Sequence, residues 1–254
     1  MYARLFRFTT LLMAGLLVGC AELSSQDGGR VMAANEVVIG LSAALTGSGI
    51  GPLGVDILRG AELAVSEHPS LNIDGRSFAV RLEVQDDLCS PEGGQAAANR
   101  FVADPQIVAV VGPMCSSGCR AAAPIFDAAG FTTVSPSCTN SDLTTGAFHS
   151  FNRLVVSDGV QGVVAAEYIY RQLGITRIAT LHDGSSYGRD LVRVVATRFE
   201  ELGGVVVAQN AINVGDDDFR ALLEDIGRNS PELIYFAGFA REAARLSEQR
   251  ADAR

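Results

Sequence analysis

From Glu36 onward, short β-branched runs alternate with longer helical patterns, and this alternation constrains the fold more than any other feature. Residues 37–43 read as an apolar strand. Residues 53–67 repeat apolar side chains at helical spacing, among them Leu58, Ala61, Leu63 and Ala64. Residues 78–84 alternate as a strand. Ser90-Pro91-Glu92 then opens a helix, with Ser as cap, Pro in the first turn and an acid beside the positive dipole end. Residues 107–111 form a fully apolar strand, a helix follows through Phe126, and 131–134 is the next strand. A polar loop over 137–150 breaks the rhythm. It resumes with helix 158–173, strand 178–181, helix 187–202, strand 205–208, helix 218–227, strand 233–237 and a helix from Arg241. Such alternation predicts an α/β fold of two lobes, 36–150 and 151–254, each a parallel sheet flanked by helices. Parallel sheets place ligands beyond the carboxyl ends of their strands. That directs attention to loops 44–54, 86–90, 113–119, 135–142, 182–188 and 237–241.

The N-terminus carries Arg4 and Arg7, then an apolar run over 8–18. That run is too short to span a bilayer, which needs about 20 apolar residues, and suits a signal peptide. Leu17-Val18-Gly19-Cys20 resembles a bacterial lipoprotein signal, with Cys20 as the lipidated first residue of the mature chain. Residues 1–19 are then the signal and the small, polar stretch 20–35 a tether. The resemblance implies a periplasmic or cell-envelope protein held to the membrane through Cys20. The net charge of −9 argues against a nucleic-acid partner, which needs a concentrated basic face. All 20 basic residues are Arg, which removes Schiff-base chemistry and the phosphate-binding Lys of a P-loop. With Cys20 set aside, Cys89, Cys115, Cys119 and Cys138 remain. An even number in an exported chain suggests two disulfides, and no second close pair completes a metal site with Cys115 and Cys119.

Two motifs point elsewhere. Gly49-Ile50-Gly51-Pro52-Leu53-Gly54 fits G-x-G-x-x-G after the first strand, and Asp86-Asp87 ends the second, outlining a dinucleotide site. The interval to Asp86 exceeds the usual spacing of about 20 residues, and Pro52 removes an N–H from the turn that should cradle phosphate. Nicotinamide cofactors are also scarce outside the cytoplasm. A glycine loop at a cleft mouth fits better, with no cofactor. Gly184-Ser185-Ser186-Tyr187-Gly188 fits the G-x-S-x-G elbow of a hydrolase. In that fold the His follows the Ser, whereas His68, His149 and His182 all precede Ser186, leaving it without an evident activator.

Segments at the carboxyl-end loops resemble the leucine/isoleucine/valine-binding family of periplasmic receptors for ABC importers. They include Gly60-Ala61-Glu62-Leu63-Ala64-Val65, Asp86-Asp87-x-Cys89-Ser90-Pro91, Val111-Gly112-Pro113-Met114-Cys115-Ser116-Ser117 and Ser135-Pro136-Ser137-Cys138-Thr139-Asn140. Further on stand Gln161-Gly162, Leu181-His182-Asp183 with Tyr187-Gly188, and Asp217-Asp218-Phe219. The resemblance implies a type I periplasmic-binding-protein fold, no catalysis, and a monomer that closes on an amino acid and presents it to permease subunits. An amino acid is a zwitterion, so its site must offer donors at one end and acceptors at the other. By the resemblance, Ser116 and Ser117 meet the carboxylate where a helix begins. Ser137, through its carbonyl, and Thr139, through its hydroxyl, meet the ammonium and carboxylate ends. Tyr187 and Phe239 wall the aliphatic side chain. The family disulfide maps onto Cys89–Cys115. Cys119 near a helix start and Cys138 just past the next strand, at the same sheet edge, suggest a second.

The chain also departs from the pattern. Leu53 stands where relatives often place an aromatic, Phe239 replaces a Tyr, and Pro124 falls inside the third helix, which should therefore start later or kink. The family continues well beyond Arg254, so the chain reads as C-terminally truncated. The missing part would include the acid that meets the ligand's ammonium, and Asp158 near the crossover is a candidate substitute. The alternatives are a receptor of the same fold for amides, urea or aromatic acids, and an exported serine hydrolase using Ser186.

Overall fold

A computed structural model describes residues 35–250 apart from Ser48, so the signal, Cys20 and most of the tether lie outside the described residues. The strands are β1 (Glu36–Ala43), β2 (Ser70–Ile73), β3 (Arg76–Asp86), β4 (Ile107–Val111), β5 (Thr132–Ser135), β6 (Phe151–Arg153), β7 (Arg177–His182), β8 (Val205–Ala211) and β9 (Leu233–Ala237). The helices are α1 (Gly51–Glu67), α2 (Pro91–Ala103), α3 (Ser116–Ala128), α4 (Asp158–Glu167), α5 (Ser186–Glu201), α6 (Arg220–Arg228) and α7 (Ala240–Gln249). Two sheets result, ordered β2-β3-β1-β4-β5-β6 and β8-β7-β9. Every pairing is parallel except β2 with β3. Among the described residues, the chain passes from the first sheet to the second once, after Arg153 and before Asp158.

Local chemistry accounts for the elements. Ser90 caps α2 as its sequence suggests: its Oγ accepts the Gly93 N–H at 2.9 Å, with Pro91 and Glu92 in the first turn. The first core packs Val38, Ile107 and Val110 of the central strands against Phe101 of α2 and Phe126 of α3. Phe131 meets Phe126 at 5.9 Å between ring centres. In the second lobe, Ile178 and Ala237 pack against Leu191, Val195 and Phe199 of α5. Strands covered on both faces take mostly apolar side chains such as these.

The structure differs from the sequence expectation in four places. The first sheet gains an antiparallel edge strand, β2, closed on β3 by Asp74 and Gly75, both at positive φ. It also gains β6, three residues long, at its other edge. The helix expected over 158–173 ends as α at Glu167 and continues as a π turn over Tyr168–Gln172. Finally, of the two alternatives that Pro124 leaves open for α3, a later start does not occur: the helix starts at Ser116 with Pro124 inside it. We expect Phe101→Ala, which empties the centre of the first core, to lower stability by about 3–5 kcal/mol in urea titration.

Candidate functional site

A cleft of about 410 Å³ lies between the lobes, beyond the carboxyl ends of both sheets. The first lobe contributes Leu53 and Ile57 of α1, the Cys89–Cys115 region, Met114, Ser116, Ser117, Ser137 and Thr139. The second contributes Gln161, Ser185, Tyr187, Gly238 and Phe239. All six residues expected at a ligand thus share one cavity. Leu53, at the position where an aromatic was expected to be missing, is on its wall and half exposed. Tyr187 and Phe239 lie 6.1 Å apart between ring centres and form an aromatic face. Burial raises the Tyr187 hydroxyl above its ordinary pKa; Asp158 and Asp183 add to this, and a hydrogen bond from Gln161 opposes it.

The floor is the turn from β4 into α3, which passes through a cis Gly112–Pro113 peptide. Cys115 occupies the cap position of α3 without a side-chain hydrogen bond, so the first-turn N–H groups receive no acceptor from it. Both adjoining hydroxyls already accept one bond each: Ser116 Oγ from the Asn140 N–H at 3.1 Å, and Ser117 Oγ from the Ser186 N–H at 3.2 Å. Ser137 donates its hydroxyl to the Met114 carbonyl at 2.7 Å, which fixes the loop after β5 against this floor. Two disulfides tie the same turn to its neighbours. Cys89–Cys115 links it to the loop after β3, and Cys119–Cys138 links α3 to the loop after β5.

The two decoy motifs resolve into framework. Gly54 lies where α1 passes the end of β1, and a Cβ there would stand 1.8 Å from the Ala44 carbonyl oxygen. Asp86 accepts the Leu45 and Leu88 N–H groups at 3.0 Å each, and Asp87 accepts the Ser42 hydroxyl at 2.8 Å and the Cys89 N–H at 2.9 Å. Both acids therefore hold cleft loops in place. Ser186 begins α5, and among the described residues no histidine is bonded to its hydroxyl; His182 Nδ1 instead accepts the Gly184 N–H at 3.0 Å.

Asp158, the first residue of α4, is fully buried behind Thr139, whose carbonyl accepts the Asp158 N–H at 2.8 Å. Among the described residues, neither carboxylate oxygen has a hydrogen bond of good geometry. Burial pushes its pKa up to about 6; the facing Thr139 hydroxyl and the Arg153 guanidinium oppose this rise, and Asp190 adds to it. Asp183, at the end of β7, is a second buried acid with one unpartnered oxygen, Oδ2. Ile57, Gln161 and Ser185 line the cleft and were not anticipated as site residues. Ile57 was readable, being one helical turn from Leu53, and Gln161 sits in one of the quoted segments.

The chain matches the model of the periplasmic binding protein family over residues 36–253, and it belongs to that family. It is 33% identical over 228 residues to an amino acid binding protein of Pseudomonas aeruginosa, covering 89% of this chain and 60% of the relative. A crystal structure of a leucine binding protein, LivK, from Thermotoga maritima superposes with a TM-score of 0.77 at 28% identity, covering 85% of this chain and 60% of that one. A solute binding protein of an ABC transporter from R. palustris, in complex with benzoate, shares the fold: TM-score 0.75, 22% identity, and coverage of 86% and 59%. The chain spans about three-fifths of the length of the curated relatives it matches.

The raised pKa of Asp158 gives a signed prediction. Below about pH 4, near the value of 3.8 for a free carboxyl, folded and unfolded chains both hold the proton and burial adds no cost of ionisation. Between there and pH 6 only the folded chain holds it, so stability falls as pH rises through this window. Above pH 6 the full cost, about 3 kcal/mol, remains. Asp158→Asn should therefore stabilise the protein by about that amount at pH 7.5, and the gain should vanish near pH 4 in denaturant titrations at the two pH values.

Proposed function

We propose that this chain is the substrate-binding subunit of an ABC importer and closes its lobes on a small aliphatic amino acid. The observation that carries this reading is the start of α3, which has no side-chain cap and opens with two serine hydroxyls into a cleft walled by aromatic carbon. A helix start without a side-chain cap, carrying two hydroxyls, is chemistry that suits a carboxylate. In this reading Ser116 and Ser117 hold the carboxylate, and the Ser137 carbonyl and Thr139 hydroxyl meet the ammonium and carboxylate ends. Tyr187 and Phe239 cover the side chain.

Asp158 supplies negative charge on the far side of Thr139, and this favours a ligand with a cationic end over a plain acid such as benzoate. No covalent step is involved. Closure removes the ligand from water and creates the surface that permease subunits would read. The working place would be the periplasm or cell envelope, with the chain anchored through lipid on Cys20.

A thermal-shift panel tests the ligand class. L-leucine, L-isoleucine or L-valine at a hundredfold excess over its Kd should add about 2.7 kcal/mol of stability. A response to benzoate alone would move the reading to aromatic acids, and ester turnover lost in Ser186→Ala would replace it with a hydrolase. Ser116→Ala, which removes a hydroxyl donor to the carboxylate, should weaken leucine binding by about 1.5–3 kcal/mol in calorimetry.

A further inference from the structure

The Gly184–Gly188 motif has a use that neither the ligand nor a nucleophile explains. Ser186 stands between Ser185 and Tyr187, two residues that line the cleft, and its main chain bonds to the first lobe. Its N–H donates to Ser117 Oγ at 3.2 Å, and its carbonyl accepts from Asn140 Nδ2 at 3.2 Å. One turn along α5, Asp190 Oδ2 accepts the Ser141 N–H at 2.8 Å. Three hydrogen bonds therefore join the first turns of α5 to the first lobe.

Both partners are held rigidly. On the second lobe, Ser185 Oγ caps α5 by accepting the Gly188 N–H at 2.9 Å, and Asp183 Oδ1 accepts the Ser185 N–H at 3.0 Å. Residue 188 must be glycine for this turn to close, because a Cβ would stand 2.5 Å from Asp183 Oδ1 and 2.7 Å from the Ala237 carbonyl oxygen. On the first lobe, Asn140 is buried and fully engaged. Its N–H donates to Ser116 Oγ, its Oδ1 accepts the Asp142 N–H at 3.2 Å and a bond from Arg120, and its carbonyl accepts from Arg153 at 2.8 Å. Its side-chain amide cannot turn away from Ser186 without breaking the two bonds to Oδ1.

We propose that Asn140 and Ser117 clasp the Ser186 peptide as a ligand-gated latch between the lobes, with Asn140 as its positioning residue. Ser116 Oγ and Ser117 Oγ each accept one bond from the clasp, and among the described residues neither donates its own proton to a protein acceptor. A carboxylate in the cleft takes those protons. A hydroxyl that donates to an anion is polarised and accepts more strongly, so ligand tightens the Asn140 and Ser186 bonds together. The latch acts on release, since the lobes must part before the ligand leaves. Ligand gating rests on the amino-acid reading above, whereas the lobe-to-lobe clasp stands without it.

Two variants test the latch. Ser186→Pro removes the N–H of the clasp, together with a hydroxyl that takes no part in it: position 186 is the first of α5, where proline is tolerated, and Ser185 at φ −68°, ψ 162° already has the conformation proline requires before it. Asn140→Asp keeps the oxygen that holds Asp142 and places a second oxygen against the Ser186 carbonyl. Circular dichroism establishes that each is folded. Small-angle scattering without ligand then reads lobe separation, and stopped-flow fluorescence reads association and dissociation of L-leucine. The expected result is a more open ligand-free protein in both variants and leucine release about tenfold faster, with association unchanged. A folded variant that stays as closed as the wild type and releases leucine at its rate overturns the latch. If the wild type binds no leucine, the amino-acid reading falls and ligand-free scattering alone decides the clasp.

Discussion

The cleft depends on the turn between β4 and α3 being held still. Its two covalent ties meet at the start of α3, where Cys115 reaches back to the loop after β3 and Cys119 reaches forward to the loop after β5. Asp87, buried and bonded to Ser42 and Cys89, braces the same region from below. A ring of donors binds an anion well only if its geometry exists before the anion arrives, because ordering side chains at the moment of binding subtracts from affinity. The helix start, the two serines and the loop carrying Ser137 and Thr139 are thus arranged in advance on the first lobe. The second lobe brings the aromatic wall.

Charge placement complements this arrangement. Asp158 is buried without a satisfied carboxylate, which no stable fold gains from by itself. Such a group is a cost that a cationic partner would relieve, and Thr139 stands between it and the cavity. Arg153, which could have neutralised it, is turned to the carbonyls of Cys138 and Asn140. Strain of this kind tends to persist where a site uses it.

Much of the fold was legible because its strands are nearly pure apolar runs. β4 and β9 begin and end where the sequence places them, since each is a run of five apolar residues with Pro shortly before it and Gly directly after. β6 escaped because Phe151-Asn152-Arg153 has one buried side chain and no pattern to detect. The β2–β3 hairpin was readable in retrospect: Asp74-Gly75 between two short runs is a recognised hairpin turn. The cleft walls followed from the rule that ligands sit beyond strand ends. Asn140 did not, because its importance lies in contacts to Ser116, Arg120, Arg153 and Ser186, and no spacing along the chain encodes a partner 46 residues away.

The two disulfides also determine where this architecture can be completed. They close loops spanning 26 and 19 residues, each worth about 3 kcal/mol against the unfolded chain. In a compartment poised by glutathione the four sulfurs would remain thiols, and the turn from β4 into α3 would lose its covalent frame. A chain retained on the wrong side of the membrane would therefore carry an unfinished pocket, and oxidation after crossing would be its last assembly step.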